Sequence, residues 1–193
     1  MPTRNPPRTQ TSVSTKDHRT QPETDHQIET IARGLLIEQG HVLLCRAVRA
    51  GYRYLPGGHV EFGERAGVAL EREFIEECGL AVKTRRLALV MEHAFGAGKA
   101  GRHEVLLVFH VERTRRRGAR VTSADATPPT PPRPPTPIAS LEPSIAFDWW
   151  PLAALGRAKL RPDPMRLWLQ SLAASAPASA PGLWLSPSAW SES

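Results

Sequence analysis

Residues Ala66 to Cys78 constrain this chain more than any other stretch, because they read as an amphipathic helix with carboxylates crowded on one face. With Glu73 set at zero and about 100° per residue, Leu70, Phe74, Gly67, Cys78, Ile75 and Val68 gather on an apolar arc. Glu76, Ala69 and Glu77 fall on the other side, close to Glu73. Glu71 lands on the apolar arc and breaks the pattern, so it is expected to reach solvent at a rim. Gly79 follows as the residue that closes the helix in a left-handed conformation. Glu73, Glu76 and Glu77 stand at i, i+3 and i+4, within one turn of one face. Three carboxylates so close repel one another unless a cation neutralises them. Magnesium suits such oxygen ligands and keeps waters for a phosphate substrate. An isolated acidic helix face is more often simply solvated, so the surroundings have to decide.

The surroundings are specific. Gly58 is followed after five residues by Glu64, and after seven more by Arg72-Glu73-Phe74-Ile75-Glu76-Glu77-Cys78-Gly79-Leu80. This spacing resembles the signature of the Nudix hydrolase family (MutT-like), Gx5Ex7REUxEExGU with U an apolar residue, and every fixed position matches. Pro56-Gly57-Gly58 and Glu61 are similar to the family's usual flank, and Phe147 to Leu152 extend the likeness over about residues 28 to 172. One position departs. Arg65 stands where Ser or Thr often caps the helix, and an absent cap costs on the order of 1 kcal/mol.

The resemblance implies an α/β fold, the Nudix-type α/β/α sandwich with a mixed central sheet. It implies Mg2+-dependent hydrolysis of a diphosphate bond in a nucleoside diphosphate linked to another moiety, with Mn2+ as a substitute ion. A diphosphate repels hydroxide, so such a reaction needs cations over its oxygens and an activated water. Glu73 and Glu77 would then ligate metal directly, Glu76 would complete the cluster as a ligand or through a bound water, and the Gly57 carbonyl would add an oxygen. Arg72 and Glu64 would pair and orient Glu73. The general base would be a box glutamate or a later carboxylate. Glu104, at the start of a strand, is the first later candidate, ahead of Glu92 and His103. Arg46 at the end of the second strand would meet a phosphate. Tyr54 would stack on a base, with Tyr52, Trp149 and Trp150 as alternatives. Two other readings stay open: a nucleotide-sensing regulatory domain, which usually shows losses in a box that is intact here, and an RNA 5′-end pyrophosphohydrolase.

The rest of the chain sets the frame. With 193 residues, 40% hydrophobic and 23% charged, it has room for one core. Residues 1–26 are polar and proline-containing and read as a disordered tail without a secretory signal. No apolar run approaches the roughly 18 residues of a membrane span. Cys45 and Cys78 read as reduced packing residues, and a cytoplasmic location follows as the default. Ile28 to Ile37 and Val42 to Val48 are expected to form a hairpin around Glu38-Gln39-Gly40-His41. Leu87 to His93 and Val105 to Glu112 read as strands about a glycine-rich loop, Ile145 to Trp150 as a strand, and Pro164 to Ala174 as a helix. The domain is therefore placed at 27–172, with a proline-rich insertion over about 115–143 and a loose Ala/Ser/Pro-rich tail over 173–193.

Net charge is +6, and its placement matters more than its size. Residues 26–112 hold 11 basic and 11 acidic side chains, whereas residues 113–172 hold 10 against 4. The excess clusters at Arg113, Arg115, Arg116, Arg117 and Arg120. Such a cluster attracts phosphates, but no aromatic residues interleave with it as they do in single-strand binders. A small nucleotide-type substrate is expected ahead of nucleic acid. A homodimer is compatible with the resemblance.

Overall fold

The structure, a computed structural model, describes residues 27–96, 101–114, 134–174 and 183–185. In chain order these form β1 (Ile28–Leu35), β2 (Ile37–Glu38), β3 (His41–Ala47), β4 (Arg53–Tyr54), α1 (Ala66–Cys78), β5 (Val82–Phe95), β6 (Arg102–Arg113) and β7 (Ile145–Pro151). A 3-10 turn (Leu152–Arg157), α2 (Asp163–Ala174) and β8 (Leu183–Leu185) follow. The first sheet runs β1-β6-β5-β8 and is mixed: β1 lies parallel to β6, β6 antiparallel to β5, and β8 parallel to β5. The second is antiparallel and places β3 between β7 on one side and β2 and β4 on the other.

The expected hairpin is made only at its base. Ile37 pairs with Val42 and Glu38 with His41, around a turn with positive φ at Gln39 and Gly40. The strand expected over Ile28 to Ile37 divides at Leu36, and its first part joins the other sheet beside β6. Leu35 and Leu36 are both buried, Leu35 in one core cluster and Leu36 in the other. Two adjacent buried leucines cannot share one face of a straight strand. Their side chains face opposite sides, Leu35 on the side of Ile31 and Leu36 on the side of Ala32.

Those two cores define the layers. Ile31, Val42, Leu44, Met91, Leu106 and Val108 pack with Met165 and Leu169 of α2. Ala32, Leu43, Cys45, Val111 and Phe147 pack with Leu70 and Phe74 of α1. The strands are thus covered by a helix on each side, which is the α/β/α arrangement expected.

Helix α1 begins and ends where the sequence places it. Arg65 is its N-cap and makes no side-chain cap bond. Gly79 takes φ 65°, donating to the Ile75 carbonyl, while Leu80 N–H reaches the Phe74 carbonyl. Its buried face differs from the apolar arc. Ala69, Leu70, Phe74 and Glu77 are buried, whereas Val68 and Ile75 are both 53% exposed. The helix is turned by roughly 100° relative to the arc read from apolar residues alone, about one residue's advance, and this carries Glu77 inward. Glu71 stands at the rim as expected, its side chain 26% exposed, and is tied down there. It accepts the Thr84 N–H at 2.8 Å and pairs with Lys83 at 3.1 Å, binding the start of β5 to the helix. That start is polar, which is why only Leu87 to His93 read as strand in the sequence; β5 also carries register shifts between Thr84 and Leu89.

Of the insertion, residues 115–133 lie outside the described residues, as do the tail at 1–26, four residues of the glycine-rich loop, and 175–182 and 186–193.

Candidate active site

A cleft of about 850 Å3 opens where the N-terminal ends of β1 and β6 and the far end of β5 meet α1 and the start of α2. One end is acidic. Glu73 and Glu77 project into it from α1, beside Gly57 and Gly58. Gly58 leaves the space for this approach, because a Cβ there would lie 2.5 Å from the Glu73 carboxyl carbon. Gly57 has φ 119°, and a Cβ on it would lie 2.3 Å from the Ala32 carbonyl oxygen. Its glycine is therefore required by the backbone itself.

Arg72 organises the outer carboxylates. Its Nε and Nη2 donate to the two oxygens of Glu64, both at 3.1 Å. Its Nη1 donates to Glu73 and to Glu76, each at 2.9 Å, and Nη2 also reaches the His59 carbonyl at 3.1 Å. The forked bond from Arg72 holds the Glu64 carboxyl below its ordinary range, and the Glu64 carboxylate in turn raises the Arg72 guanidinium. Glu76 is thus turned to Arg72 and is not among the residues lining the cleft.

Glu77 is different. It is only 7% exposed and has one long bond, from the Gly57 N–H at 3.4 Å. Burial pushes its carboxyl up to about 7, opposed by the positive charge of Arg33. Arg33, which the sequence reading did not single out, lines the cleft from β1 and lies 5.0 Å from the Tyr54 ring centre. It donates to the carbonyls of Leu55 (3.3 Å) and Gly57. An ion on the Gly57 carbonyl would share that oxygen with Arg33 or displace it.

The other end of the cleft is aromatic. His93 and Phe95 on β5 stack with ring centres 4.9 Å apart, facing Arg161, Asp163 and Met165 at the head of α2. Burial lowers the His93 imidazole, which favours its neutral form. Glu104 lies opposite His93 in the β5–β6 register and lines the cleft; Glu92 and His103 do not line it. Tyr52 and Tyr54 line it from β4 and the residue before.

Two further placements stand apart from the sequence reading. Glu142 lines the cleft on the side of Glu77. It is brought there by the Leu141 N–H, which donates to the Glu77 carbonyl at 2.7 Å. It sits in an unpatterned Ser-Leu-Glu-Pro stretch and carries no periodic signal. Arg46, by contrast, lies in a separate groove, bound with Arg53 to Asp148 at 3.1 and 2.9 Å. Trp149 and Trp150 line that same groove. Arg113 is paired with Glu38 at 2.8 Å and covers Trp149; the rest of the arginine cluster lies outside the described residues.

Among the described residues no group of three metal-ligating side chains converges closely enough to hold an ion as it stands. The donor set nonetheless fits a hard divalent cation. Glu73 and Glu77 share the cleft with the Gly57 carbonyl, and the nearly bond-free, buried Glu77 carboxylate is the group a cation would neutralise.

The family profile described as NUDIX domain matches residues 28–170. No curated protein matches the chain at a significant level. Among solved structures the chain is similar to a MutT protein of Bacillus halodurans, with a TM-score of 0.55 at 15% identity over 83% of this chain and 92% of that one. A MutT protein of Methanosarcina mazei aligns with a TM-score of 0.53 at 21% identity, covering 76% of this chain and 94% of that one. A UDP-X diphosphatase aligns with a TM-score of 0.54 at 17% identity, covering 82% and 67%. At these identities the likeness shows a shared fold. No helix among the described residues is long and apolar enough to cross a membrane.

Proposed function

The chain belongs to the NUDIX family, hydrolases of phosphorus-containing anhydrides, and from that premise we propose that it cleaves the diphosphate bond of a nucleoside diphosphate linked to a second moiety. The observation that carries this reading is the division of one cleft into an end with a buried, weakly bonded carboxylate and an end with stacked aromatic rings. A diphosphate needs the first and a nucleobase the second.

Glu73, Glu77 and the Gly57 carbonyl would hold Mg2+, or Mn2+ in its place, with Glu76 joining through a bound water. The ion would neutralise the phosphate oxygens and lower the pKa of a bound water. Arg72, fixed by Glu64, holds Glu73 in orientation and limits the carboxylate repulsion along α1. Arg33 supplies a second cation over the same region, and exchanging its bond to the Gly57 carbonyl for one to a phosphate oxygen would place it on the substrate. Glu104 and Glu142 both line the cleft, and either carboxylate can accept the proton of the attacking water. Tyr54 and Phe95 offer ring faces to a base. Arg46, assigned to a phosphate by the resemblance, instead serves the Asp148 cluster in the second groove.

The test is a panel of nucleoside triphosphates, nucleotide sugars and dinucleotides with Mg2+ or Mn2+, scoring phosphate, pyrophosphate and monophosphate release. The reading expects metal-dependent release from at least one diphosphate-linked compound and none with chelator. Absence of turnover across the panel with either ion would reject it.

A further inference from the structure

The second groove, of about 980 Å3, carries a feature the hydrolase reading leaves unused. Its wall is Trp149 and Trp150 with Arg46 and Arg53, and against it lie Pro134, Pro135, Thr136 and Pro137, the described end of the proline-rich insertion. The Trp149 indole N–H donates to the Thr136 carbonyl at 2.9 Å. Pro135 is buried although its neighbours Pro134, Thr136 and Pro137 are exposed. Arg53 lies 4.4 Å over the Trp150 ring and Arg113 5.5 Å over Trp149, so both indoles are held by guanidinium planes.

This is the chemistry by which polyproline is recognised. Proline fixes φ and has no N–H, so a Pro-Pro-Thr-Pro run favours an extended left-handed helix with outward, unpaired carbonyls. A surface that binds it needs flat rings to pack against and a donor for a carbonyl. Trp149 supplies both. Ile138 continues the run and packs on the α1-side core. Three residues later the Leu141 N–H bonds to the last turn of α1 through the Glu77 carbonyl, and Glu142 enters the cleft.

We propose that Pro134–Pro137 is a polyproline ligand built into the chain, that the Trp149 groove is its receptor, and that its seating holds Leu141 and Glu142 against the box helix. Only the consequence for turnover rests on the hydrolase function; docking and the position of Leu141 do not. Trp149 is a positioning residue, acting on the cleft through the segment it binds. A tethered ligand acts at an effective concentration in the millimolar range, so a free peptide competes poorly with it.

The experiment uses the full chain in three forms: wild type, a variant with Pro134→Gly, Pro135→Gly and Pro137→Gly, and Trp149→Phe, which keeps a ring and removes the donor. A labelled peptide of sequence Pro-Pro-Thr-Pro-Ile is titrated by fluorescence polarisation, and amide exchange of Leu141 is followed by NMR. The triple-glycine variant is expected to bind the peptide at least tenfold more tightly than wild type does. Its Leu141 amide, and that of Trp149→Phe, should exchange at least tenfold faster while amides of α1 keep their protection. Failure of the triple-glycine variant to bind the peptide at millimolar concentration overturns the receptor assignment. Unchanged Leu141 protection in both variants overturns the coupling. If the hydrolase reading holds, Glu142→Gln and Trp149→Phe lower kcat non-additively when combined. If no substrate is turned over, the peptide and exchange results still decide the proposal.

Discussion

Replacing Glu77 by Gln should make the metal-free protein more stable at alkaline pH and at the same time remove its activity. The side chain is 7% exposed, and burial pushes its carboxyl up to about 7 from an ordinary value of 4.5. The unfolded chain gives up this proton near the ordinary value and the folded chain only near 7, so between the two the unfolded state carries fewer protons and stability falls as pH rises. The penalty is absent below about pH 4.5 and complete above about pH 7. At 1.36 kcal/mol per pH unit it amounts to about 3 kcal/mol. Gln is neutral at every pH and its carbonyl oxygen can still accept the Gly57 N–H. Urea unfolding with chelator should therefore show Glu77→Gln more stable than wild type by up to about 3 kcal/mol at pH 8, a melting shift of roughly 6–12 °C for a chain of this size. The two should converge near pH 4.5. Mg2+ at 100 times its Kd should nearly close the gap, because it stabilises wild type by about 2.7 kcal/mol and the variant lacks the ligand, and at 1,000 times its Kd, about 4.1 kcal/mol, it should invert the order. Turnover should fall at least about a hundredfold. Parallel pH–stability curves for the two proteins would refute the claim that a buried carboxylate waits for a cation.

Four other outcomes follow from the same geometry. Gly58→Ala puts a methyl group where the Glu73 carboxylate lies, so Mg2+ affinity measured by calorimetry should drop at least about tenfold with little change in melting temperature. Gly57→Ala meets backbone at a positive φ and should instead destabilise the fold by about 2 kcal/mol or more in urea unfolding. Arg72→Lys cannot reproduce the forked bond to Glu64 together with those to Glu73 and Glu76, and metal affinity should fall about 10- to 100-fold; full retention would show that Arg72 only screens charge. Deleting residues 115–132 should leave small-nucleotide hydrolysis largely intact, whereas extending the deletion through Ile138 should lower kcat, a contrast read directly from steady-state kinetics.

The box helix shows how far local chemistry reaches. Its limits, its left-handed glycine end and the pairing of Arg72 with Glu64 were all legible, because each depends on residues close in sequence or on a fixed spacing. Its orientation was not. Assigning apolar residues inward leaves Ile75 and Val68 in the core and Glu77 outside, yet the packed helix reverses them. A carboxylate that serves a cleft violates the hydrophobic rule at its own position, and one violation among thirteen residues is invisible to periodicity. The partner of Glu71 was not legible either: the Thr84 N–H belongs to a stretch of strand that carries little strand signal.

By itself the sequence determined the helix that bears the carboxylates, the glycines that let a loop approach it, the α/β class, and the spacing that places the chain among NUDIX proteins. Only tertiary structure decided which side chains meet. It paired β1 with β6 and β3 with β7, turned Arg46 to Asp148, and brought Arg33, His93 and Glu142 to one cleft. Helical and strand periods are set by neighbours a few residues apart. The partners of Glu77 come from segments 20 to 65 residues away, and their meeting is fixed by how two cores are filled.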